Sequence, residues 1–216
     1  MPYNSFLSSD IIPNGYLKVT SEYKSAFFTN RAMFDTMKIE TTKGVDRMSK
    51  RIAVIVTDMV EEIELTDPVK AYKDAGHTVD IISDEADKTI KGKNGDELKA
   101  DKGIEDASAS DYDALLVPGG FSPDLLRINP KNGEFAKEFM EAEKPVFAIC
   151  HGPQFLVETD LLKGKELTGF VSIKKDLENA GAIVKDEEVV VDGNLVTSRT
   201  PDDLPAFNRE SLKLLK

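Results

Sequence analysis

The chain has one cysteine in 216 residues, and it stands in Ala148-Ile149-Cys150-His151-Gly152-Pro153. An apolar run ends at this thiol, and Pro153 suits the first turn of a helix, where its missing donor costs nothing. A residue held in so tight a strand-to-helix turn is lifted towards solvent, as the serine is in hydrolase elbows. A helix start also offers unpaired N–H groups and partial positive charge, so the thiolate of Cys150 is expected to be favoured. His151 is a candidate base and then acid beside it. The alternative is a small buried hydrophobe next to a surface histidine. Placement at the end of a buried strand favours the chemical reading.

Other candidates follow from residue type and position. Glu61, in Asp58-Met59-Val60-Glu61-Glu62, is either a carboxylate at a helix N-terminus or the partner of Cys150. In the second role it hydrogen-bonds the thiolate while itself protonated, its pKa raised by like charge, and the two titrate as a unit. Glu62 and Glu64 are weaker candidates for that role and are expected to solvate or cap the helix. Gly119-Gly120 either marks a turn or presents bare N–H groups to an oxyanion beside Cys150. Asp124 either orients His151, completing a Cys-His-Asp set, or caps a short helix through Leu126. His77 falls in a turn at the opposite end of the sheet. Asp202-Asp203 is expected to cap the last helix rather than hold a divalent ion. Gly92-Lys93-Asn94-Gly95 fits neither a phosphate loop nor a dinucleotide fingerprint. With one Cys and two His, soft ligands are scarce, and neither a metal nor a cofactor is expected.

These residues need strands to carry them. Ile52–Thr57 is continuously apolar and β-branched, as a strand buried on both faces would be. A helix is expected over Glu62–Ala75, with Ile63, Val69 and Tyr72 on its inner face, then a strand over Thr78–Ser83, making a βαβ unit. Short strands at Thr89–Lys91 and Glu97–Lys99 suggest a small edge hairpin. Further strands are expected at Ala114–Pro118, Pro145–Ile149 and Leu167–Val171. Helices are expected at Gly133–Glu143, Gln154–Thr159, Ile173–Ala180 and Pro205–Leu215. Val189–Val191 and Leu195–Thr197 flank Asp192-Gly193-Asn194 as an antiparallel hairpin. The sum is a three-layer α/β sandwich around a mainly parallel sheet, with Glu61, Gly119-Gly120 and Cys150 all at carboxyl ends of strands, where ligands of such sheets lie.

The formal charge of −11 opposes a phosphate backbone, and no basic block with interleaved aromatics suggests a nucleic-acid groove. No apolar run is long enough to span a bilayer. A lone cysteine fits a reducing cytoplasm. Residues 1–47 carry six basic and five acidic side chains, near +1, and the remainder carries −12. This segment lacks strand or helix periodicity and the pattern of a signal peptide. Residues 1–49 are therefore read as a dispensable extension before a catalytic domain over 50–216.

That domain resembles the PfpI family, within the class I glutamine amidotransferase-like superfamily that also holds the Parkinsonism-associated deglycase. The resemblance rests on Ala148-Ile-Cys-His-Gly-Pro-Gln154, Leu116-Val-Pro-Gly-Gly120 with Ser122-Pro123, and Val189-Val-Val-Asp-Gly-Asn194 leading into Thr197-Ser-Arg-Thr-Pro-Asp-Asp-Leu204. Small bacterial stress-protein members look most similar. It implies a flavodoxin-like fold, with the nucleophile at Cys150, the histidine at His151, the glutamate at Glu61 and oxyanion glycines at Gly119 and Gly120. In archaeal members a glutamate of a neighbouring subunit partners the histidine; Asp124 holds the matching place, with a shorter side chain. It also implies a homo-oligomer, a dimer or larger. The implied function is a cysteine-dependent hydrolase, acting on methylglyoxal adducts as a deglycase or glyoxalase-like enzyme or on peptides as an intracellular peptidase. The alternative is a non-enzymatic redox-sensing or chaperone-like stress protein that uses Cys150.

Overall fold

A computed structural model describes residues 49–216. The basic and acidic segment read as an extension lies, up to Met48, outside the described residues. In chain order the regular elements begin with β1 (Arg51–Ile55), α1 (Glu62–Asp74) and β2 (Thr78–Ser83). They continue with β3 (Thr89–Lys91), β4 (Glu97–Lys99), β5 (Lys102–Gly103), β6 (Ala114–Val117), α2 (Ser122–Leu126) and α3 (Pro130–Glu141). Next come β7 (Val146–Ile149), α4 (Gly152–Phe155), β8 (Glu166–Leu167), α5 (Lys174–Asn179) and β9 (Ile183–Val184). The chain closes with β10 (Val189–Asp192), β11 (Leu195–Ser198) and α6 (Leu204–Leu214).

Seven strands form the main sheet in the order β10-β11-β7-β6-β1-β2-β5. All neighbours in it are parallel except β10 and β11, which pair as the expected hairpin around a turn whose Gly193 has φ 58°. This is the flavodoxin-like α/β arrangement. The central strands are buried on both faces, so their apolar residues split by alternation between two cores. Ala53, Ile55, Leu115, Val117 and Ala148 face the side carrying Phe135 of α3, Phe155 of α4 and Leu177 of α5. Ile52, Val54, Leu116, Phe147 and Ile149 face Leu65 and Tyr72 of α1 and Phe207 of α6. The rings of Tyr72 and Phe147 lie 5.9 Å apart, at the centre of this second layer.

Several boundaries differ from the sequence reading for local reasons. Helix α3 begins at Pro130 rather than Gly133, because Asn129 caps it by accepting from the Lys131 N–H. The expected strand over Leu167–Val171 reduces to β8, and Val171–Ile173 instead forms a single 3₁₀ turn. Asp124 lies within the first turn of α2 and is not its cap, a place taken by Phe121. Asp203 stands at the head of α6 but makes no side-chain cap; its carboxylate accepts from Arg199 instead. The β3–β4 hairpin is a separate two-stranded sheet, tied to the loop after β1. Among the described residues no helix is long and apolar enough to cross a membrane.

The strand-to-helix turn after β7 is packed tightly. A Cβ on Gly152 would lie 2.3 Å from the carbonyl oxygen of Val117, an atom of β6 that cannot move without unpairing the sheet. We expect Gly152→Ala to cost about 3 kcal/mol through this backbone clash. The check is urea unfolding, with a lower midpoint and an unchanged slope.

Candidate active site

Cys150 follows β7 with φ 61°, in the left-handed region that a residue with a side chain rarely enters. Strand alternation would send residue 150 to the α3 face, opposite Ile149. The left-handed turn rolls it over, and Cys150 shares the α1 face with Ile149. Two backbone bonds hold it there: its N–H donates to Ser198 O at 3.0 Å, and its carbonyl accepts from Phe170 N–H at 2.8 Å. The elbow expected from sequence is present, and the thiol lies at the floor of an open cleft of about 410 Å³.

The carboxyl set against the thiol is that of Glu64, not Glu61. Helix α1 buries Glu64, Leu65, Pro68 and Tyr72, one stripe at helical spacing, and leaves Ile63 45 % exposed. The sequence reading placed Ile63 on the inner face and so turned Glu64 outwards; the helix is rotated the other way. Glu64 is fully buried, and its Oε2 accepts from Gly119 N–H at 2.9 Å. Its Oε1 is buried with no full hydrogen bond, and the Cys150 thiol is the polar group beside the carboxyl. Burial is the chief cause that raises the Glu64 pKa to about 7; Glu61 adds to it, while the thiol, Gly119 N–H and Lys93 oppose it. Glu61 sits nearer the mouth of the cleft, ion-paired with Lys93 and within 3.5 Å of Asn94 Nδ2. Glu62, expected to be solvated, is buried and accepts from the backbone and side chain of Asn94, both at 2.6 Å.

The helix-start argument for a low Cys150 pKa does not hold. Burial pushes the thiol up to about 12, and the charge and hydrogen bond of Glu64 push the same way. The N–H groups of Gly120 and His151 pull it back but do not prevail. Helix α4 spans only four residues, so it contributes little aligned dipole. Each of Glu64 and Cys150 thus resists ionisation while the other is charged. The pair passes from two protons to one near neutrality and keeps the second to high pH.

The glycines divide their work. Gly119 N–H is already committed to Glu64, and a Cβ there would lie 2.7 Å from Cys150 Cβ. Gly120, with φ 71°, directs its N–H to the sulfur. His151 Nδ1 lies 3.3 Å from Cys150 Sγ. Its other nitrogen faces Ser172 Oγ at 3.2 Å, and its ring stacks on Phe170 at 4.8 Å. The Cys-His-Asp set is therefore not formed within the described residues. Asp124 is half-exposed on α2, with Arg127 as its ionic neighbour at 4.0 Å. Burial first, and then Lys93, lowers the pKa of His151, which favours the neutral ring at pH 7.

Residues 50–214 match the model of the DJ-1/PfpI family. The chain belongs to this family. Its relatives include a Bacillus subtilis protein named "Putative cysteine protease YraA", 67 % identical over 78 % of this chain and all of its own. General stress protein 18 of the same organism is 56 % identical over 78 % of this chain and 99 % of its own. Among solved structures, DJ-1 of Schizosaccharomyces pombe superposes with a TM-score of 0.70 at 27 % identity, covering 77 % of this chain and 92 % of that one. A two-domain Anabaena variabilis protein with DJ-1/ThiJ/PfpI-like and ferritin-like domains gives 0.76 at 45 % identity, over 77 % of this chain; the match spans about half of that protein, 48 %.

Sequence reasoning missed Glu64, Lys93, Phe170 and Ser172 in this DJ-1/PfpI site. The signal for Glu64 was its i, i+4 relation to Pro68 and i, i+8 relation to Tyr72. Lys93 stands in the glycine-flanked tip of the β3–β4 hairpin, and only tertiary placement brings it to the cleft. Among the described residues no three His, Cys, Asp or Glu side chains converge on a metal position.

The raised Glu64 pKa has a stability consequence. Between the unfolded value of about 4.5 and about 7 the folded chain binds the extra proton, so this contribution is full below the lower value and lost as pH rises through the upper one. We expect Glu64→Gln to remove that slope and to be more stable than wild type at pH 8 by up to about 3 kcal/mol. Urea titrations of both proteins from pH 4.5 to 8 test this.

Proposed function

We propose that this DJ-1/PfpI protein is a cysteine-dependent hydrolase of small reactive carbonyl compounds and their adducts, with methylglyoxal as the type substrate. The observation that carries this reading is the shared cleft of Cys150, Glu64 and His151, with the buried carboxyl and the imidazole both beside the sulfur. Cys150 is only 8 % exposed, at the cleft floor, which suits a three-carbon carbonyl better than a segment of folded polypeptide. The names of the Bacillus relatives, "Putative cysteine protease YraA" and General stress protein 18, support thiol chemistry.

The steps balance without an external oxidant. With the shared proton on Glu64, Cys150 adds as thiolate to the aldehyde carbon, forming the S–C bond, and the carbonyl oxygen takes up the proton. Neutral His151 then removes the proton from that carbon and returns it to the neighbouring ketone carbon, while the hydroxyl proton on the first carbon's oxygen passes to the ketone oxygen through the enediol, so the first carbon is oxidised and the second reduced. The product is a lactoyl thioester on Cys150. Water attacks the thioester, lactate leaves, and the thiol regains its proton. Glu64, at the sulfur, and His151, beside it, are the two groups placed to move these protons. Peptide cleavage would use the same nucleophile through an acyl-enzyme.

The test is lactate release from methylglyoxal and from methylglyoxal-treated N-acetylcysteine, corrected for spontaneous adduct reversal. We expect Cys150→Ala to reduce release to the blank and Glu64→Gln to lower kcat by about 10²-fold or more. Asp124→Ala should leave the rate unchanged. No lactate above blank from folded wild type would overturn the carbonyl reading. Peptide cleavage and peroxide oxidation of Cys150 would then separate a peptidase from a redox-sensing stress protein.

A further inference from the structure

The Lys93–Glu61 ion pair stands in the same cleft as Cys150, Glu64 and His151, yet the reaction above uses neither member. The side chain of Glu61 is 16 % exposed and that of Lys93 44 % exposed, so the pair is held at the protein–solvent boundary. Its position is built by backbone. Met59 N–H donates to Lys91 O at 2.7 Å and Lys93 N–H donates to Val60 O at 2.9 Å. Lys91 N–H donates to Asp58 Oδ1 at 2.8 Å, and Glu62 anchors Asn94 by two bonds of 2.6 Å. So many anchors on one short hairpin tip fix the backbone from which Lys93 reaches into the cleft.

The geometry points to the Lys93–Glu61 pair as a positioning element that sets the reactivity of Cys150, Lys93 favouring an anion in the cleft and Glu61 opposing it. This rests on Cys150 being the reacting group, and it goes beyond that reading by giving the thiol an electrostatic control of opposing sign. The charged and titratable groups in play are few. Glu64 faces the thiol from α1, His151 from its own turn, Lys93 from the β3–β4 tip and Glu61 from the β1–α1 loop. The Lys93 ammonium acts on Glu64, on Cys150 and on His151 alike, and Glu61 acts on Glu64. In a chain whose net charge is −11, a cation fixed at the mouth is the local exception that makes an anionic cleft tolerable.

The experiment reads the thiol directly. The pH dependence of Cys150 alkylation by iodoacetamide is measured for the full chain as wild type, Lys93→Gln, Lys93→Arg and Glu61→Gln, each with a thermal melt to establish folding. Lys93→Gln should move the profile to higher pH by about half to one unit, a three- to tenfold slower reaction at fixed pH on the rising limb. Glu61→Gln should move it to lower pH, and Lys93→Arg should restore the wild-type profile. Profiles that coincide for wild type, Lys93→Gln and Glu61→Gln would overturn the inference, as would shifts of the two variants in the same direction. Alkylation needs no carbonyl turnover, so an enzyme inactive on methylglyoxal would still return a clear answer here.

Discussion

A left-handed backbone at a residue with a side chain costs on the order of 1–2 kcal/mol, and the site of this protein depends on Cys150 bearing that cost. Were residue 150 to relax to the extended region, its thiol would turn to the other face of the sheet, away from Glu64. The strain is kept in place from three sides. Strand β11 accepts the Cys150 N–H, the Phe170 N–H caps its carbonyl, and the bare backbone of Gly119 and Gly152 leaves the room that the turn needs. Apart from Gly152, those supports come from other segments, so the turn is specified by the assembled sheet as much as by the hexapeptide that contains it.

The same assembly explains the charge balance of the cleft. A carboxyl and a thiol are buried together, and among the described residues no cation touches either, so the pair gives up its first proton only near neutrality and keeps the second above it. A buried pair of this kind is not there for stability; ionisation of Glu64 works against folding as pH rises. Gly119 N–H is the neutral donor that keeps one carboxyl oxygen satisfied, and it fixes the carboxyl while doing so.

Much of the fold was legible in the sequence because buried parallel strands announce themselves as unbroken apolar runs, and β1, β6 and β7 lie where Ile52–Thr57, Ala114–Pro118 and Pro145–Ile149 suggested. The positions of Cys150, His151, Gly119 and Gly120 were legible for the same reason, since each is adjacent to a strand end, but not that the Gly119 N–H goes to Glu64. Glu64 was not. Its identification requires the rotation of α1 about its axis, and Ile63 and Leu65 are equally apolar neighbours that argue for opposite rotations. Tertiary packing chose Leu65. Within the chain Asp124 does not reach His151 because α2 turns it to solvent, and the imidazole is held by Phe170 and Ser172, in a loop whose apolar sequence reads as a strand. Lys93 lay outside any local pattern, because what matters is where its hairpin docks.

That hairpin stands apart from the main sheet, and its attachment is made largely by main-chain atoms and by Asp58 and Glu62. Backbone pairing is indifferent to which side chain sits at position 93. The cleft therefore has one wall whose chemistry is separable from its architecture. A change at this single position alters the charge offered to an incoming molecule while the elbow, the buried carboxyl and the seven-stranded sheet stay as they are. Such a wall lets one scaffold be retuned for different incoming molecules without refolding, and it gives an engineer a place to begin that leaves the thiol untouched.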